Sequence, residues 1–329
     1  TRSDSSAASD VYKRQEVHYA EHGSGPLVVF CHGWPESWYS WRHQLKAIGD
    51  KGYRAVALHM RGYGKTTVPE DIEAYSISNL VGDVVGSVAG LGESKAIIVG
   101  HDWGGPVAWY SALMRPDIFT AVAVLSVPFN PPFPLPNGVN LNDVMLQAAA
   151  GRQYYRLFFQ DPGVAEADFE KDVRKSMLGV LYSFSGDIVR DGVHTVGWDG
   201  HFPRNETMSE QLILPEKLPI WLTEEDLAFY VKEHSSTGFS GGFNWYRNIK
   251  RLPSHLAPFI GKSLDQPALY LYGEHDLVAG NTQEAIDVMK TSLPDLRKCV
   301  KFDGAGHWLQ QERAEEVNQE LINFLQSVN

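Results

Sequence analysis

The sequence has few cysteines, no long apolar run and little positive charge. Its 329 residues include two cysteines, Cys31 and Cys299, so a disulfide framework and a thiolate zinc site are both excluded. Two free thiols indicate a reducing compartment, and we expect a cytoplasmic location. No apolar run reaches the roughly 18 residues that a membrane span requires, so we expect no membrane span.

Positive charge is scarce, because 29 Lys and Arg residues face 40 Asp and Glu residues and the formal net charge is −11. Nucleic-acid binding requires clustered Lys and Arg, so we expect no nucleic-acid partner. Residues 1–15 are rich in Ser and Asp and lack the apolar segment of a signal peptide. We interpret them as a disordered leader or a cloning remnant.

Hydrophobic residues make up 43% of the chain and aromatic residues 12%, which is enough for a large core. From residue 16 onward, short apolar strands alternate with amphipathic helices. The predicted strands are 27–31, 53–58, 95–99, 120–125, 268–272 and 298–302, and the predicted helices are 37–50, 78–91, about 104–114, 282–290 and 314–325. Repeated βα units predict an α/β fold with a mainly parallel central sheet and helices on both faces.

The alternation stops after residue 128. Five prolines fall within residues 127–138, and proline does not join a central strand. From there to about residue 260 the sequence is helical and rich in loops, and the strand pattern then resumes. We therefore predict an α/β core of residues 16–128 and 261–329, interrupted by a helical lid (cap) domain of residues 129–260.

The strongest local motif is Gly-His-Asp-Trp-Gly at residues 100–104, between a predicted strand and a predicted helix. This is the context of a nucleophile elbow, in which small residues permit a tight turn. Asp102 occupies the nucleophile position, and the alternative is an aspartate that caps the following helix. As a nucleophile, a carboxylate displaces a leaving group at saturated carbon and forms an alkyl ester.

Hydrolysis of such an ester requires an oxyanion hole and a base. Backbone N–H groups of Trp103 and of Trp34, in His-Gly-Trp-Pro at residues 32–35, are the candidate oxyanion donors. The alternative for the second loop is a plain turn that ends a strand. His307, in a glycine-rich loop after the last strand, is the candidate base, and a structural histidine is the alternative.

A catalytic histidine also needs an acid that orients its ring. Asp276 follows the preceding strand and is the preferred candidate, while Glu274 and His275 are rivals in the same loop. The chain order is then nucleophile, acid, base, which is the order of the α/β-hydrolase fold.

In combination, these motifs resemble the soluble epoxide hydrolases of the α/β-hydrolase fold, from about residue 16 to the C-terminus. The matching segments are His-Gly-Trp-Pro-Glu-Ser-Trp (32–38), Arg-Gly-Tyr-Gly (61–64), Gly-His-Asp-Trp-Gly-Gly (100–105) and Gly-His-Trp (306–308).

The resemblance implies two lid tyrosines that bind the epoxide oxygen and protonate the departing alkoxide. Tyr155 and Tyr246 stand at those positions, and the spacing to Phe159 and Gln160 favours Tyr155 over Tyr154. A phenol stays protonated at neutral pH and suits this role. The plain alternative is that both are packing residues of the lid.

One residue departs from the family pattern. His59 stands near the place where the family usually has an acidic residue, ahead of Arg61. We expect altered loop hydrogen bonding there, without contact to the nucleophile, acid or base. The resemblance also implies a cis peptide bond between Trp34 and Pro35, since X–Pro is where cis bonds occur.

The resemblance therefore implies an enzyme that converts epoxides to vicinal diols, with no cofactor and no metal. The expected partners are a small apolar epoxide and water, bound in a dry pocket lined partly by aromatic residues. The expected substrate contacts are Trp34, Trp103, Tyr155 and Tyr246.

Two alternatives stay open at the sequence level. The first is a haloalkane or haloacid dehalogenase, which shares the Asp nucleophile and the His base and in which the Trp103 indole N–H binds halide. The second is a non-catalytic ligand-binding member of the fold. The oligomeric state is open between monomer and homodimer.

Overall fold

The computed structural model describes residues 7–10, 15–136, 139, 141–149, 151–278 and 283–328. Its strands are β1 (Ala7–Asp10), β2 (Gln15–His22), β3 (Leu27–Cys31), β4 (Arg54–Leu58), β5 (Ala96–His101), β6 (Phe119–Leu125), β7 (Gln153–Tyr154), β8 (His201–Phe202), β9 (Ala268–Gly273) and β10 (Leu296–Phe302). Its α-helices are α1 (Arg42–Gly49), α2 (Ile77–Gly90), α3 (Gly104–Met114), α4 (Leu141–Ala148), α5 (Tyr155–Phe158), α6 (Val164–Phe169), α7 (Val173–Ser183), α8 (Asp187–Arg190), α9 (Met208–Gln211), α10 (Glu224–Thr237), α11 (Ser240–Arg247), α12 (Leu252–Leu256), α13 (Gln283–Ser292), α14 (Leu309–Glu312) and α15 (Ala314–Ser327). Short 3-10 turns cover Trp38–Trp41, Ile72–Tyr75, Glu170–Asp172, Ile249–Arg251 and Ala257–Phe259.

Eight strands form one sheet in the order β1-β2-β4-β3-β5-β6-β9-β10. The neighbouring strands from β4 through β10 in this order pair parallel, whereas β1 with β2 and β2 with β4 pair antiparallel. The central strands β3 and β5 are buried along their whole length, as apolar strands covered on both faces must be. The predicted α/β architecture with a mainly parallel sheet is confirmed.

Two apolar clusters lie on opposite faces of this sheet. Helices α2 and α3 pack together over one face, with Val84 and Val107 in its core. Helices α1 and α15 pack together over the other face, with Ile48 and Leu321 in its core. Each helix buries the apolar stripe that its sequence period predicts.

The N-terminal region differs from the sequence prediction. Strand β2 was not predicted, although buried Val17 and Tyr19 alternate with polar neighbours at the period of a strand. Residues 7–10 form β1, which pairs with β2. The expectation of a disordered leader over residues 1–15 is therefore wrong for residues 7–10 and 15, and residues 1–6 and 11–14 lie outside the described residues.

The chain between β6 and β9 consists mainly of helices, α4 to α12, as the sequence predicts. It also contains a two-stranded antiparallel pair, in which Gln153 lies opposite Phe202. We call residues 129–260 the inserted segment, and these limits stay a prediction. In the described part of the chain, no helix combines the length and the apolar character needed to cross a membrane.

Candidate active site

The carboxyl ends of the parallel strands bring the predicted residues to one edge of the sheet. Asp102 follows β5, Asp276 follows β9, His307 follows β10, and Trp34 follows β3. All four are buried. Open α/β sheets bind their ligands at this edge, so the predicted nucleophile, acid, base and oxyanion loop meet at the expected place.

Asp102 sits on a strained turn. Its φ angle is +50°, in the left-handed region that a non-glycine residue rarely adopts. The turn also brings α3 so close to β3 that a side chain at Gly104 would collide with the backbone carbonyl of Cys31. The carboxylate accepts the backbone N–H of Trp34 on Oδ1 at 2.8 Å and the backbone N–H of Trp103. It therefore faces both candidate oxyanion donors. The N-cap residue of α3 is Trp103, whose side chain caps no N–H group, and the nucleophile role of Asp102 stays a prediction beside its helix-cap alternative.

His307 lies between the two aspartates. Its Nδ1 is 3.0 Å from Asp276 Oδ1, and its Nε2 is 3.6 Å from Asp102 Oδ2. The rival Glu274 instead accepts the N–H of Gly304 at 2.9 Å and pairs with Lys301 at the surface. Of the acidic residues in that loop, Asp276 is therefore the one that reaches the ring.

The protonation of the three groups follows from this arrangement. Burial alone lowers the pKa of His307, but the carboxylates of Asp276 and Asp102 outweigh it and raise that pKa to about 9. Burial tends to raise the pKa of Asp276, and the ring of His307 with the hydroxyl of Ser126 brings it below its ordinary value. Burial raises the pKa of Asp102, with His307 opposing it. His307 is thus an imidazolium at neutral pH, between the carboxyl groups of Asp276 and Asp102.

Ser126 is a site residue that the sequence analysis missed. Its φ is +78°, and its hydroxyl lies 3.2 Å from Nδ1 of His307. The same hydroxyl bonds to Asp276. Nothing local marked this serine, because it follows β6, a strand without a recognised motif, and meets His307 only through the fold.

A second buried network surrounds Glu36 and His101, the residue that precedes Asp102. The Glu36 carboxylate accepts the N–H of Gly33 at 2.8 Å and the amide of Gln310 at 2.9 Å, and it pairs with Nδ1 of His101 at 2.8 Å. Nε2 of His101 lies 2.7 Å from the carbonyl oxygen of His307. This network connects the loop of residues 32–35, the turn at Asp102 and the loop of residues 304–308 that carries His307, which we call the base loop. The sequence placed Glu36 and His101 inside matching motifs without assigning them a contact.

The loop that carries His307 is held by another buried carboxylate. Glu312 of α14 accepts the backbone N–H groups of Gly306 at 2.8 Å, Trp308 at 3.0 Å and Gly186 at 3.0 Å. Gly186 belongs to the inserted segment, so the base loop and that segment share one anchor. The sequence analysis gave no role to Glu312, because its three partners are backbone groups.

The two predicted tyrosines come from the inserted segment. Tyr155 begins α5 and Tyr246 lies in α11, both are buried, and their ring centroids are 6.0 Å apart. The ring of Tyr246 packs edge-on against Trp103 at 5.3 Å and Trp34 at 5.9 Å. Tyr154 instead stacks on His201 at 4.7 Å. Tyr246 thereby packs against both tryptophans whose backbone N–H groups are the candidate oxyanion donors.

A cavity of about 580 Å³ opens onto the nucleophile. It is mostly apolar, and its lining includes Asp102, Trp103, Tyr246 and Arg156. The wall is completed by Pro106, Trp109, Tyr110, Val127, Pro128, Phe129, Asn130, Leu141, Val144, Met145, Ile249, Leu252, Val278, Glu284, Ala285 and Val288. Its size fits a small organic molecule. The sequence analysis did not single out Arg156.

The departure at His59 is accommodated away from the three catalytic candidates. His59 is buried, its Nδ1 accepts the N–H of Lys65 at 3.3 Å, and its Nε2 lies 3.6 Å from Glu233 of α10. Burial lowers the pKa of His59 to about 3. The Trp34–Pro35 peptide bond is cis, which confirms the implied isomer.

Among the residues described, no group of three or more His, Cys, Asp or Glu side chains is arranged to hold a metal ion. The sequence expectation of a reaction without metal or cofactor stays a prediction.

A family model and several characterised proteins are similar to this chain over most of its length. A family model described as the alpha/beta hydrolase fold matches residues 26–314. Epoxide hydrolase A of Mycobacterium tuberculosis is 37% identical, over 95% of this chain and 94% of that protein. Epoxide hydrolase 1 of Siraitia grosvenorii is 38% identical, over 94% of each chain.

Solved structures give the same result. An epoxide hydrolase from an endophytic Streptomyces superposes with a TM-score of 0.92 at 38% identity, covering 98% of this chain and 95% of that one. An epoxide hydrolase from Vigna radiata superposes with a TM-score of 0.88 at 34% identity, covering 99% of both chains.

Proposed function

Since the chain belongs to the α/β-hydrolase family and, within it, to the epoxide hydrolases, we propose that it converts epoxides to vicinal diols through a covalent ester of Asp102. The observation that carries this mechanism is the buried row Asp102, His307, Asp276, with the Trp34 N–H on the nucleophile. Asp102 also lines the apolar cavity, so a substrate in the cavity meets a carboxylate.

In the first step, a carboxylate oxygen of Asp102 attacks an epoxide carbon from the side opposite the ring oxygen. The carbon–oxygen bond of the epoxide breaks, and its electron pair goes to the ring oxygen. Tyr155 and Tyr246 hold that oxygen, and a phenol proton neutralises it. The inserted segment, which contributes both tyrosines, acts as the lid of the site. This step leaves Asp102 as a neutral ester.

Formation of the ester switches His307 from acid to base. In the free enzyme the carboxylate of Asp102 helps to keep the pKa of His307 raised. Esterification removes that negative charge, so the pKa of His307 falls and the ring gives up its proton. The neutral imidazole, oriented by Asp276, then takes a proton from water.

In the second step, the resulting hydroxide attacks the carbonyl carbon of the Asp102 ester. The N–H groups of Trp34 and Trp103 stabilise the oxyanion, because they already donate to this carboxylate in the free enzyme. When the tetrahedral intermediate collapses, the ester carbon–oxygen bond breaks and the leaving alkoxide takes the proton of the added hydroxyl group, which releases the diol and restores the carboxylate. Water is the only co-substrate that this route consumes.

A single turnover in ¹⁸O-labelled water tests this route. With enzyme in excess over styrene oxide, we expect the label in the Asp102 carboxylate and not in the first diol released, because water attacks the ester carbonyl. Mass spectrometry of the peptide that contains Asp102 makes the measurement. Enzyme kept in the same water without epoxide is the control and stays unlabelled.

The opposite labelling pattern, unlabelled Asp102 and labelled diol, would mean direct attack of water on the epoxide. A bromoalkane run alongside tests the dehalogenase alternative, in which bromide is released and no diol forms from styrene oxide. The named relatives favour the epoxide.

We also propose a cytoplasmic location and a monomer or homodimer. Both cysteines are free, Cys31 buried and Cys299 half-buried, which supports a reducing compartment. Fractionation of the producing cell and light scattering of the purified chain measure the two properties.

A further inference from the structure

Arg156 lies beside the first of the two tyrosines. Its Nε donates a hydrogen bond to the phenol oxygen of Tyr155 at 2.9 Å, and its guanidinium carbon lies 5.5 Å from the Tyr155 ring centroid. The side chain is half-buried and lines the cavity that reaches Asp102. A guanidinium here is a positive charge at the wall of an otherwise mostly apolar pocket.

This guanidinium has no carboxylate partner among the residues that the structure describes. Two other arginines of the inserted segment do have one, since Arg152 pairs with Asp199 at 2.9 Å and Arg247 pairs with Glu166 at 2.8 Å. Taking a charge out of water without a counter-charge costs free energy. Among the residues described, the only hydrogen bond that the Arg156 guanidinium makes goes to the phenol oxygen of Tyr155.

The hydrogen bond leaves the proton of Tyr155 free for a ligand. A phenol that accepts an N–H on its oxygen keeps its own O–H as a donor. Loss of that proton creates a phenolate 2.9 Å from a permanently charged guanidinium, which makes a charge-assisted bond. Burial raises the pKa of Tyr155, and Arg156 is the largest influence that opposes the rise.

Tyr246 lacks this support. Among the described residues, Arg156 donates a hydrogen bond to Tyr155, and none donates one to the phenol oxygen of Tyr246. Burial raises the pKa of Tyr246, and the nearby charge of Asp102 raises it further, while Arg156 opposes them only after those two and Tyr155. A phenolate at position 246 is therefore less favourable than one at position 155.

Building on the proposed function, we infer that Arg156 is a positioning residue that makes Tyr155, and not Tyr246, the proton donor to the epoxide oxygen. The electron pair of the broken carbon–oxygen bond takes the proton of Tyr155, and Arg156 stabilises the phenolate left behind. The proton that His307 gives up on esterification of Asp102 then returns to Tyr155 through solvent. Tyr246 contributes a hydrogen bond and keeps its proton.

A double-mutant cycle tests this assignment. The variants are Arg156→Gln, Arg156→Lys, Tyr155→Phe and Tyr246→Phe, with Arg156→Gln also combined with each Phe substitution. Stopped-flow tryptophan fluorescence and rapid-quench mass spectrometry with styrene oxide give the rate constants of ester formation and ester hydrolysis separately. Arg152→Gln is the matched control, because it removes a surface arginine of the same segment.

We expect Arg156→Gln to slow ester formation by roughly 10- to 100-fold, a part of what a general acid contributes, and to leave ester hydrolysis unchanged. Arg156→Lys, which keeps a charge and a donor, restores part of the rate. In the Tyr155→Phe background Arg156→Gln has little further effect, since both changes remove the same contribution. In the Tyr246→Phe background it keeps its full effect, and Arg152→Gln changes neither rate constant.

An equal loss from Arg156→Gln in the wild-type and Tyr155→Phe backgrounds would overturn the inference, because the arginine would then not act through Tyr155. Equal slowing of formation and hydrolysis would also overturn it, since that is the mark of a general structural role. Failure of the proposed function itself looks different, because the wild-type enzyme would then form no ester on Asp102 in the same experiment.

Discussion

At the scale of single residues, His307 is defined by the two carboxylates on opposite sides of its ring. Asp276 is 3.0 Å from one ring nitrogen, and Asp102 is 3.6 Å from the other. The first carboxylate keeps its charge throughout the proposed cycle, whereas the second loses it in the ester. In the proposed cycle the pKa of His307 therefore takes two values, a higher one beside the Asp102 carboxylate and a lower one beside the Asp102 ester.

We expect the pKa of His307 to fall below about 9 when either neighbouring charge is removed. Asp102→Asn imitates the neutral ester, and Asp276→Asn removes the larger of the two influences, so the second fall exceeds the first. NMR titration of ¹³C-labelled histidine side chains measures both. Asp50→Asn, at the surface, is the control, and an unchanged pKa in Asp102→Asn would contradict the proposed switch.

At the scale of elements, the base loop depends on one short helix. Glu312 ends α14 and accepts three backbone N–H groups, two of them on either side of His307 and one from the inserted segment. The base loop and the inserted segment approach each other so closely here that a side chain at Gly306 would collide with the backbone of Ser185 and Gly186. The position of the base is thus fixed jointly by the core and by the inserted segment.

Glu312→Gln should lower the free energy of unfolding by about 2 kcal/mol, because an amide can accept from only one side and leaves a buried N–H unpaired. Urea denaturation followed by circular dichroism measures the change. Glu316→Gln, an exposed glutamate of α15, is the matched control and should stay within about 0.5 kcal/mol of the wild type. A loss no larger than that of the control would show that the three bonds do not stabilise the loop.

The sequence predicts elements whose pattern is local, and it does not predict contacts that form only when distant elements come together. The elbow around Asp102 and the β3 strand were predicted because their patterns are local, glycines at fixed spacing in one case and an apolar run in the other. Ser126 and Arg156 were not, because their roles depend on contacts with His307 and Tyr155 that only the fold creates or orients. Strand β2 was missed because its half-buried alternation is weaker than an apolar run.

At the scale of the whole molecule, buried histidines of opposite behaviour set the pH range of stability. Burial lowers the pKa of His32 and His234 to about 4 and that of His59 to about 3. The pKa of His307 is instead raised to about 9. An unfolded histidine titrates near about 6.5, so the folded state binds fewer protons than the unfolded state below that pH and more above it.

We therefore expect the free energy of unfolding to be greatest near pH 6.5. It falls toward pH 5 as the unfolded chain protonates its histidines, and it falls toward pH 9 as His307 loses its stabilising proton, each by at most about 1.4 kcal/mol per pH unit per histidine. Urea denaturation across this range measures the curve. Asp276→Asn should flatten the alkaline side only, and an unchanged alkaline slope in that variant would contradict the assignment to His307.

The order of strands in the sheet has a consequence for biosynthesis. β9 lies between β6 and β10, so Leu125 pairs with Leu271 across the whole inserted segment. A chain emerging from the ribosome carries β6 as an unpaired apolar edge until β9 follows, and such edges invite association. Asp102 and both tyrosines emerge before Asp276 and His307, so a nascent chain holds the proposed nucleophile without the proposed base. In the proposed mechanism, turnover begins only when the last two strands have joined the sheet.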